Sequence, residues 1–502
     1  MTTLFNAVFR RTALALFLLM TCSVSLSAQQ PPAPAKTRDA SYYAFRNAAT
    51  DPPKNPTTPV FKLSKDYPHS IPPKCLDCPW LDVKVNFTPN FTDPKTPVWH
   101  GQNWDVYLKA ILDYVKKGQD ANLSNEVGWK VKVDGKTRWF NVPWMAYDPT
   151  AGREYVHGTT NERTATLADL VNHNPHALAT FAGETDECKR DYPWGFESWS
   201  VGYYNEYGGY AIGRAIPATG VPQMSKYMGS PIPAGLPFPK GTVVVKILTS
   251  NIPVKCAPFL EGSPAWQIDR HKESAKEGYS CDREVQISHV VQMDVAVVDP
   301  NSPIGWVYGT YAYDGQEGTG DTFWDHMIPV GVQWGSDPWT FPAVPETSSL
   351  PIQQTVLNTD LKTFQHLGCM DRLAGPVDNA ASSCTSCHAS AYAAPHGAVD
   401  KMGTNVPPSF GFSGMCQAYS LENTAYFQNQ LTPQGFPGGQ FPEAFTMDTS
   451  LQLAVAFTQY GNFHTNHAPD ACNNPNQITP PKPKEKLKTT ILHTPITGKE
   501  AQ

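Results

Sequence analysis

Five consecutive residues, Cys384-Thr385-Ser386-Cys387-His388, constrain this 502-residue chain more than any other feature. Two cysteines separated by two residues bring two thiols within one turn of the backbone, and a histidine follows directly. Such a group can close a local disulfide, supply half of a zinc site, or hold a prosthetic group covalently. The surrounding chain must therefore fold so that one turn presents two sulfurs and an imidazole side by side.

The N-terminal residues indicate the compartment in which these thiols are placed. Arg10 and Arg11 precede a short apolar segment from Ala13 to Met20, and small residues then lead to Ala28. This is the pattern of a cleaved export signal, which we predict over residues 1–28. We expect a periplasmic or secreted mature protein without a membrane span, in which cysteines form disulfides or hold cofactors.

In an exported chain the spacing of the motif favours covalent attachment of a haem. The two thiols can form thioether bonds to the two vinyl groups of one haem, and the next histidine is then held as an axial ligand of the iron. Cys384, Cys387 and His388 are therefore predicted to hold one covalent haem c. Two alternatives stay open: a plain disulfide, and a zinc site whose second pair would be Cys75 and Cys78.

Through this motif the C-terminal part of the chain resembles the c-type cytochromes. The resemblance implies a mainly helical cytochrome c-like domain, which we place at residues 351–473, with an axial methionine just before a closing helix. Met447 precedes the helical pattern of Thr449–Tyr460 and takes that position. Gly375–Asn379 departs from the family pattern, because Gly-Pro would break a helix that enters the motif. The competing candidates for the sixth iron position are an open site, Met370, Met402, Met415 and His396.

The longer N-terminal region has the character of an antiparallel sheet. Thr242–Leu248, Ser288–Val298 and Gly305–Tyr313 are rich in β-branched and aromatic residues and predict strands. Asp134-Gly135 lies between alternating segments and predicts a hairpin turn. We therefore predict an α+β multidomain fold: an antiparallel β-rich domain of unknown role at 61–350, followed by the mainly helical haem domain.

Helices and chain ends complete the sequence-based picture. Apolar residues recur on one helical face between Trp104 and Val115, and they predict a helix there. Thr355–His366 is a second candidate helix, at the start of the haem domain. Composition predicts a Pro-rich linker at 29–60 and a disordered tail at 474–502.

The remaining cysteines predict structural disulfides. Cys75 and Cys78 form a C-x-x-C pair without a following histidine, so they cannot be a second haem site of the usual kind. We expect a disulfide there, with a redox-active dithiol as the alternative. Cys256 and Cys281 bracket a polar loop and are a second candidate pair.

These features favour an electron carrier over an enzyme. One haem would exchange an electron with a redox partner protein. The alternatives are a redox enzyme whose β-rich domain oxidises a small molecule, a sensor with an open iron site, and a non-haem exported binding protein with structural disulfides. The net charge of −6 gives no electrostatic case for a nucleic-acid partner.

Overall fold

The computed structural model describes the chain from residue 61 to residue 456, with gaps. All described residues fall within one compact unit, Ala40–Gln502. The predicted export signal (1–28), linker (29–60) and tail (474–502) lie outside them. The described residues are 61–73, 75, 77–87, 98–143, 155–156, 159–165, 170, 188, 196–216, 238–274, 278–335, 354–363, 368, 372–378, 382–389, 391–393, 445–454 and 456.

The dominant element is an antiparallel sheet of nine strands. Their order is β11-β10-β9-β8-β6-β5-β4-β3, and β7 pairs with β8 beside this path. The strands are β3 Tyr155–Val156, β4 Thr159–Ala165, β5 Phe196–Tyr204, β6 Val243–Ser250, β7 Ala265–Ser274, β8 Gly278–Val298, β9 Trp306–Tyr313, β10 Met327–Gln333 and β11 Thr355–Leu357; the earlier β1 Lys132–Val133 and β2 Lys136–Thr137 form a separate hairpin.

The prediction of an antiparallel β-rich region is confirmed. The three predicted segments correspond to β6, the second half of β8, and β9. The β1–β2 hairpin turns at Asp134 and Gly135, whose φ angles are 50° and 76°. Both residues are in the left-handed region, which matches the right-handed twist of paired strands and which Asp-Gly tolerates well.

Four helices have bounds within the described residues: α1 Val98–Gly101, α2 Trp104–Lys116, α3 Glu206–Ala215 and α4 Cys384–His388. The predicted helix from Trp104 is α2. It packs on one face of the sheet, where Leu108 lies against Gly309 and accepts a hydrogen bond at its carbonyl from the Tyr311 hydroxyl at 2.6 Å. We call this side the helix face. A cross-strand row of Tyr203, Val245, Val295 and Gly309 belongs to it.

The opposite side carries the next cross-strand row, formed by Gly202, Lys246, Asp294 and Thr310. We call it the C-terminal face, because residues from the end of the described chain cover it. Its apolar part is a buried cluster in which sheet residues meet α3 and the C-terminal segments; the members include Tyr204, Ala296, Trp306, Tyr308, Ile212, Phe238, Ala391, Met447 and Leu453.

The prediction of a mainly helical cytochrome c-like domain at 351–473 is wrong. Thr355–Leu357 is not the start of a helix but strand β11, which pairs with β10 at the edge of the large sheet. The described residues of this part hold one short helix, α4, helical residues at 451–454 and 456, and the two-stranded pair β12 Tyr392–Ala393 and β13 Phe445–Thr446. Pairing with an open sheet edge overrides the local helical pattern of this segment.

Two disulfides are present among the described residues. Cys75 bonds to Cys78, as expected for the first pair, and Cys188 bonds to Cys256. The predicted Cys256–Cys281 pair is therefore wrong. Strands β7 and β8 form a long two-stranded ribbon, and Cys281 lies on β8 near the end of this ribbon where the two strands connect. Cys256 lies elsewhere, in a buried 3-10 turn. No helix in the described part of the chain has the length and apolarity needed to cross a membrane.

Candidate functional site

Helix α4 holds the three predicted attachment residues on one turn. Its start is closed by a reciprocal pair of bonds: Ser383 Oγ accepts from the Ser386 N–H at 3.3 Å, and Ser386 Oγ accepts from the Ser383 N–H at 2.7 Å. This capping arrangement stabilises a short helix that would be marginal alone. Cys384 is three residues before Cys387 and four before His388, so the three side chains share one side of the turn.

The same helix is fixed to the end of strand β10. The Thr385 N–H donates to Gln333 Oε1 at 3.1 Å, and the Thr385 hydroxyl donates to the Gly335 carbonyl at 3.1 Å. Thr385 is buried, so these bonds are shielded from competing water. Thr385, one of the two residues between the cysteines, therefore helps to set the position of the motif relative to the sheet.

His388 makes a directional hydrogen bond through one ring nitrogen. Its Nδ1 lies 2.8 Å from the Thr449 carbonyl oxygen. A carbonyl only accepts, so Nδ1 carries the proton, and in the neutral ring the lone pair is on Nε2. A histidine that binds a metal through one ring nitrogen usually makes a hydrogen bond of this kind through the other, which fixes the tautomer and the ring orientation. The Tyr308 ring packs beside the imidazole, with 4.7 Å between ring centroids.

Thr449 belongs to a tight turn at the start of the last helical segment. The Ser450 N–H donates to the Met447 carbonyl at 3.0 Å, and the two central residues have positive φ angles, 46° at Asp448 and 67° at Thr449. Left-handed backbone is costly for a β-branched residue such as threonine. The turn is held by the Asp448 carboxylate, which accepts from the Phe238 N–H at 2.8 Å and the Trp306 Nε1–H at 3.0 Å.

A serine caps the start of the following helix. Ser450 Oγ accepts from the Leu453 N–H at 3.3 Å, as expected for a serine at a helix start. Residues 451–454 and 456 are helical, Thr449 and Ser450 precede the helix, and residues 455 and 457–460 lie outside the described residues.

Cys384 and Cys387 are not joined to each other by a disulfide in the structure. Burial raises the pKa of the Cys384 thiol well above its ordinary value, and the neighbouring Asp378 and Asp294 carboxylates shift it in the same direction. The thiol is therefore protonated at neutral pH. Reactive catalytic cysteines have the opposite property, a lowered pKa that provides thiolate.

A pair of carboxylates lies beside Cys384, and sequence analysis did not predict it. Gln292 Nε2 bridges the two groups, donating to Asp294 Oδ1 at 2.6 Å and to Asp378 Oδ2 at 3.0 Å. Thr310 also donates to Asp294, at 2.8 Å. Burial, together with the Asp378 charge, raises the pKa of Asp294 to about 8. The available sequence signal was the polar pair Gln292 and Asp294 within the apolar strand SHVVQMDVAVV.

The structure thus brings together Cys384, Cys387 and His388, and it places Met447 close to them. The Met447 N–H donates to the Ala391 carbonyl at 2.9 Å, and its side chain is completely buried. The competing candidates for the sixth iron position fall outside the described residues; they are Met370, Met402, Met415 and His396.

The donor set on α4 is two thiols and one imidazole, which is the set that covalent attachment of one haem would use. Two thiols that are not joined to each other stand on one turn with an imidazole, and in its neutral form the ring lone pair is on Nε2. The zinc alternative loses its second ligand pair, because Cys75 and Cys78 are joined in a disulfide. The described residues contain no cluster of three or more histidine, cysteine or acidic side chains placed to hold a metal ion, and a haem does not need one, because its porphyrin supplies four of the iron ligands.

Comparison with known proteins gives no further guide to this site. No family model, no curated protein and no solved structure matches the chain.

Proposed function

We propose that the protein is an exported c-type cytochrome that carries one haem, with thioether bonds to Cys384 and Cys387 and with His388 as an axial iron ligand. The observation that carries the proposal is the His388 Nδ1–Thr449 carbonyl bond, on the same turn as two thiols that are not joined to each other. The bound haem would supply one-electron chemistry at the iron, for exchange with a redox partner protein.

The environment of the cysteines supports attachment rather than thiol catalysis. The raised pKa of Cys384, caused first by burial, keeps this sulfur protonated. A thiol–disulfide enzyme would instead need a lowered pKa and ready access for its substrate. The two disulfides elsewhere agree with folding in an oxidising compartment, where attachment of haem c would also take place.

The proposal is tested by producing the mature chain together with a c-haem maturation system and measuring its denatured mass and pyridine haemochrome spectrum. We expect the mass of one haem to be added and a c-type spectrum. The double variant Cys384→Ser/Cys387→Ser is expected to lose both.

The chain supplies its own matched control in the second C-x-x-C pair. Cys75→Ser/Cys78→Ser removes two cysteines at the same spacing but without a following histidine, and we expect it to keep the haem. A colourless wild type at apo mass, obtained while a known cytochrome is loaded in the same cells, would reject the proposal and leave an exported binding protein with structural disulfides.

A further inference from the structure

The Met447–Ser450 turn lies against His388 Nδ1, the ring nitrogen that would not bind iron if His388 were a ligand. From this geometry we infer that Asp448 and Thr449 are positioning residues for His388, and that Met447 is a core residue on the histidine side of the haem rather than the sixth iron ligand. The inference rests on the proposed function, and it departs from the ligand that the resemblance to c-type cytochromes implies.

The hydrogen bond at Nδ1 fixes the direction of the His388 imidazole. Thr449 O is 2.8 Å from Nδ1, so the iron would be bound by Nε2, which points away from Thr449. The two axial ligands of a haem lie on opposite faces of the porphyrin. A backbone segment bonded to Nδ1 is therefore on the histidine face, and the porphyrin separates it from the sixth position.

The backbone of Met447 is connected to that of His388 through Ala391. The Met447 N–H bonds to the Ala391 carbonyl, and the Ala391 N–H in turn bonds to the His388 carbonyl at 3.1 Å. The strand pair β12–β13 continues the same antiparallel alignment, with Tyr392 opposite Thr446. Two backbone bonds thus connect Met447 to His388 through Ala391, on the side of His388 that carries α4 and β12.

The Met447 side chain is packed in the core. None of its surface is exposed, and it belongs to the apolar cluster that includes Ala391 and Leu453. This burial accounts for a methionine at position 447 without a metal, since a flexible thioether side chain fills irregular core space well.

The two central residues of the turn, Asp448 and Thr449, set where its carbonyl points. Asp448 and Thr449 have positive φ angles that few non-glycine residues adopt. The bonds from Phe238 and Trp306 to the Asp448 carboxylate hold the turn in that conformation. In this conformation the Thr449 carbonyl points at His388. Asp448 therefore acts on His388 through the turn, without contacting it.

The first test compares Met447→Leu with Met293→Leu, a fully buried methionine on the helix face. In the haem-loaded protein we expect both variants to keep the wild-type ferric spectrum, magnetic circular dichroism and midpoint potential. Loss of a methionine-to-iron charge-transfer band and a fall in potential in Met447→Leu alone would overturn the inference, because a thioether ligand raises the potential. Haem mass measured on the same samples separates this outcome from failure of the proposed function.

The second test addresses positioning, with Asp448→Ala and the conservative Asp448→Asn. Losing the Thr449 bond makes His388 less basic toward iron, so we expect a lower iron–histidine stretching frequency and a higher potential in Asp448→Ala, with partial rescue in Asp448→Asn. Asp314→Ala is the control; this buried aspartate holds another turn through the Gln316 and Glu317 N–H groups.

A readout that needs no haem completes the test. Histidine nitrogen NMR of the unloaded protein should show His388 as the Nδ1–H tautomer in the wild type, and this preference should weaken in Asp448→Ala but not in Asp314→Ala. An unchanged tautomer together with an unchanged iron–histidine frequency in Asp448→Ala would reject Asp448 as a positioning residue. Asp448→Asn serves the same comparison if the alanine variant does not fold.

Discussion

The two faces of the sheet share the same strands and both bury apolar clusters, but they differ in where polar and charged side chains lie side by side. On the helix face, α2 and tryptophans make a core: Trp104 stacks on Trp334 with ring centroids 4.2 Å apart, and Trp129 stacks on Tyr203 at 4.4 Å. On the C-terminal face, a row one residue away places Lys246, Asp294 and Thr310 side by side, near the C-x-x-C-H motif on α4.

The aromatic core of the helix face contributes to the stability of the fold, whereas the polar row of the C-terminal face offers groups that can take part in chemistry. Burial of aromatic surface stabilises a fold without directional demands. A buried carboxylate costs free energy unless every oxygen is paired, and it persists where it has a use. The helix face can therefore be regarded as the support, and the C-terminal face as the side on which function can be altered with less effect on folding.

The largest expected effect comes from breaking the support. Trp104→Ala removes a fully buried indole and should lower the free energy of unfolding by about 3–5 kcal/mol, as large core truncations do. His388→Ala, on the other face, should cost about 1 kcal/mol for one lost hydrogen bond while removing the proposed axial ligand. Urea unfolding followed by tryptophan fluorescence measures both. A greater loss of stability in His388→Ala would contradict the separation.

The sequence was sufficient to predict the support. Strands β6, β8 and β9 and helix α2 have apolar patterns that are local and strong, and the Asp134-Gly135 turn depends only on its own backbone preferences. The proximity of Cys384, Cys387 and His388 on one turn was equally predictable, because the three residues are close together in the chain.

The C-terminal face could not be predicted in the same way, because its contacts join distant residues. The Gln292–Asp378 bond spans 86 positions, and the His388–Thr449 bond spans 61. Thr355–Leu357 is a strand only because β10 offers a free edge. No local pattern in the sequence carries this information, and the resemblance to cytochromes wrongly replaced it with a helical domain.

The second prediction uses pH to separate the faces. The raised pKa of Asp294, about 8 and caused first by burial, keeps a proton on the folded protein that an unfolded aspartate releases near pH 4. The folded state binds more protons in this range, so stability should fall as pH rises from about 4 to about 8.

Asp294→Asn should remove most of this slope and raise stability at pH 8 by on the order of 2 kcal/mol. Asp299→Asn is the control on the other side of the sheet, where the carboxylate accepts from the Tyr107 hydroxyl at 3.0 Å. Thermal unfolding at several pH values measures the slope. A wild-type stability that does not change over this range would refute the assignment of a neutral Asp294.

Two tyrosines on strand β9 give a smaller and more direct comparison. The Tyr311 hydroxyl donates to the Leu108 carbonyl on the helix face, whereas the buried Tyr308 hydroxyl has no hydrogen-bond partner of ordinary geometry among the described residues. Tyr311→Phe should cost about 1–2 kcal/mol, and Tyr308→Phe should be close to neutral. Equal losses in urea unfolding would mean that a partner of Tyr308, such as the nearby Thr449 side chain, contributes as much as Leu108.

The smallest effect concerns the turn over the C-terminal face. At most positions alanine stabilises a protein relative to glycine, because glycine has more conformational freedom to lose on folding. At Thr449, with φ 67°, this order should reverse: Thr449→Gly should be about 1 kcal/mol more stable than Thr449→Ala, since only glycine adopts left-handed backbone without penalty. The same pair of substitutions at Thr310, within the β9 ladder, should keep the ordinary order. If alanine were the better residue at both positions, the turn would not be held against its local preference, and the aim of the Thr449 carbonyl at His388 would need no anchoring by Asp448.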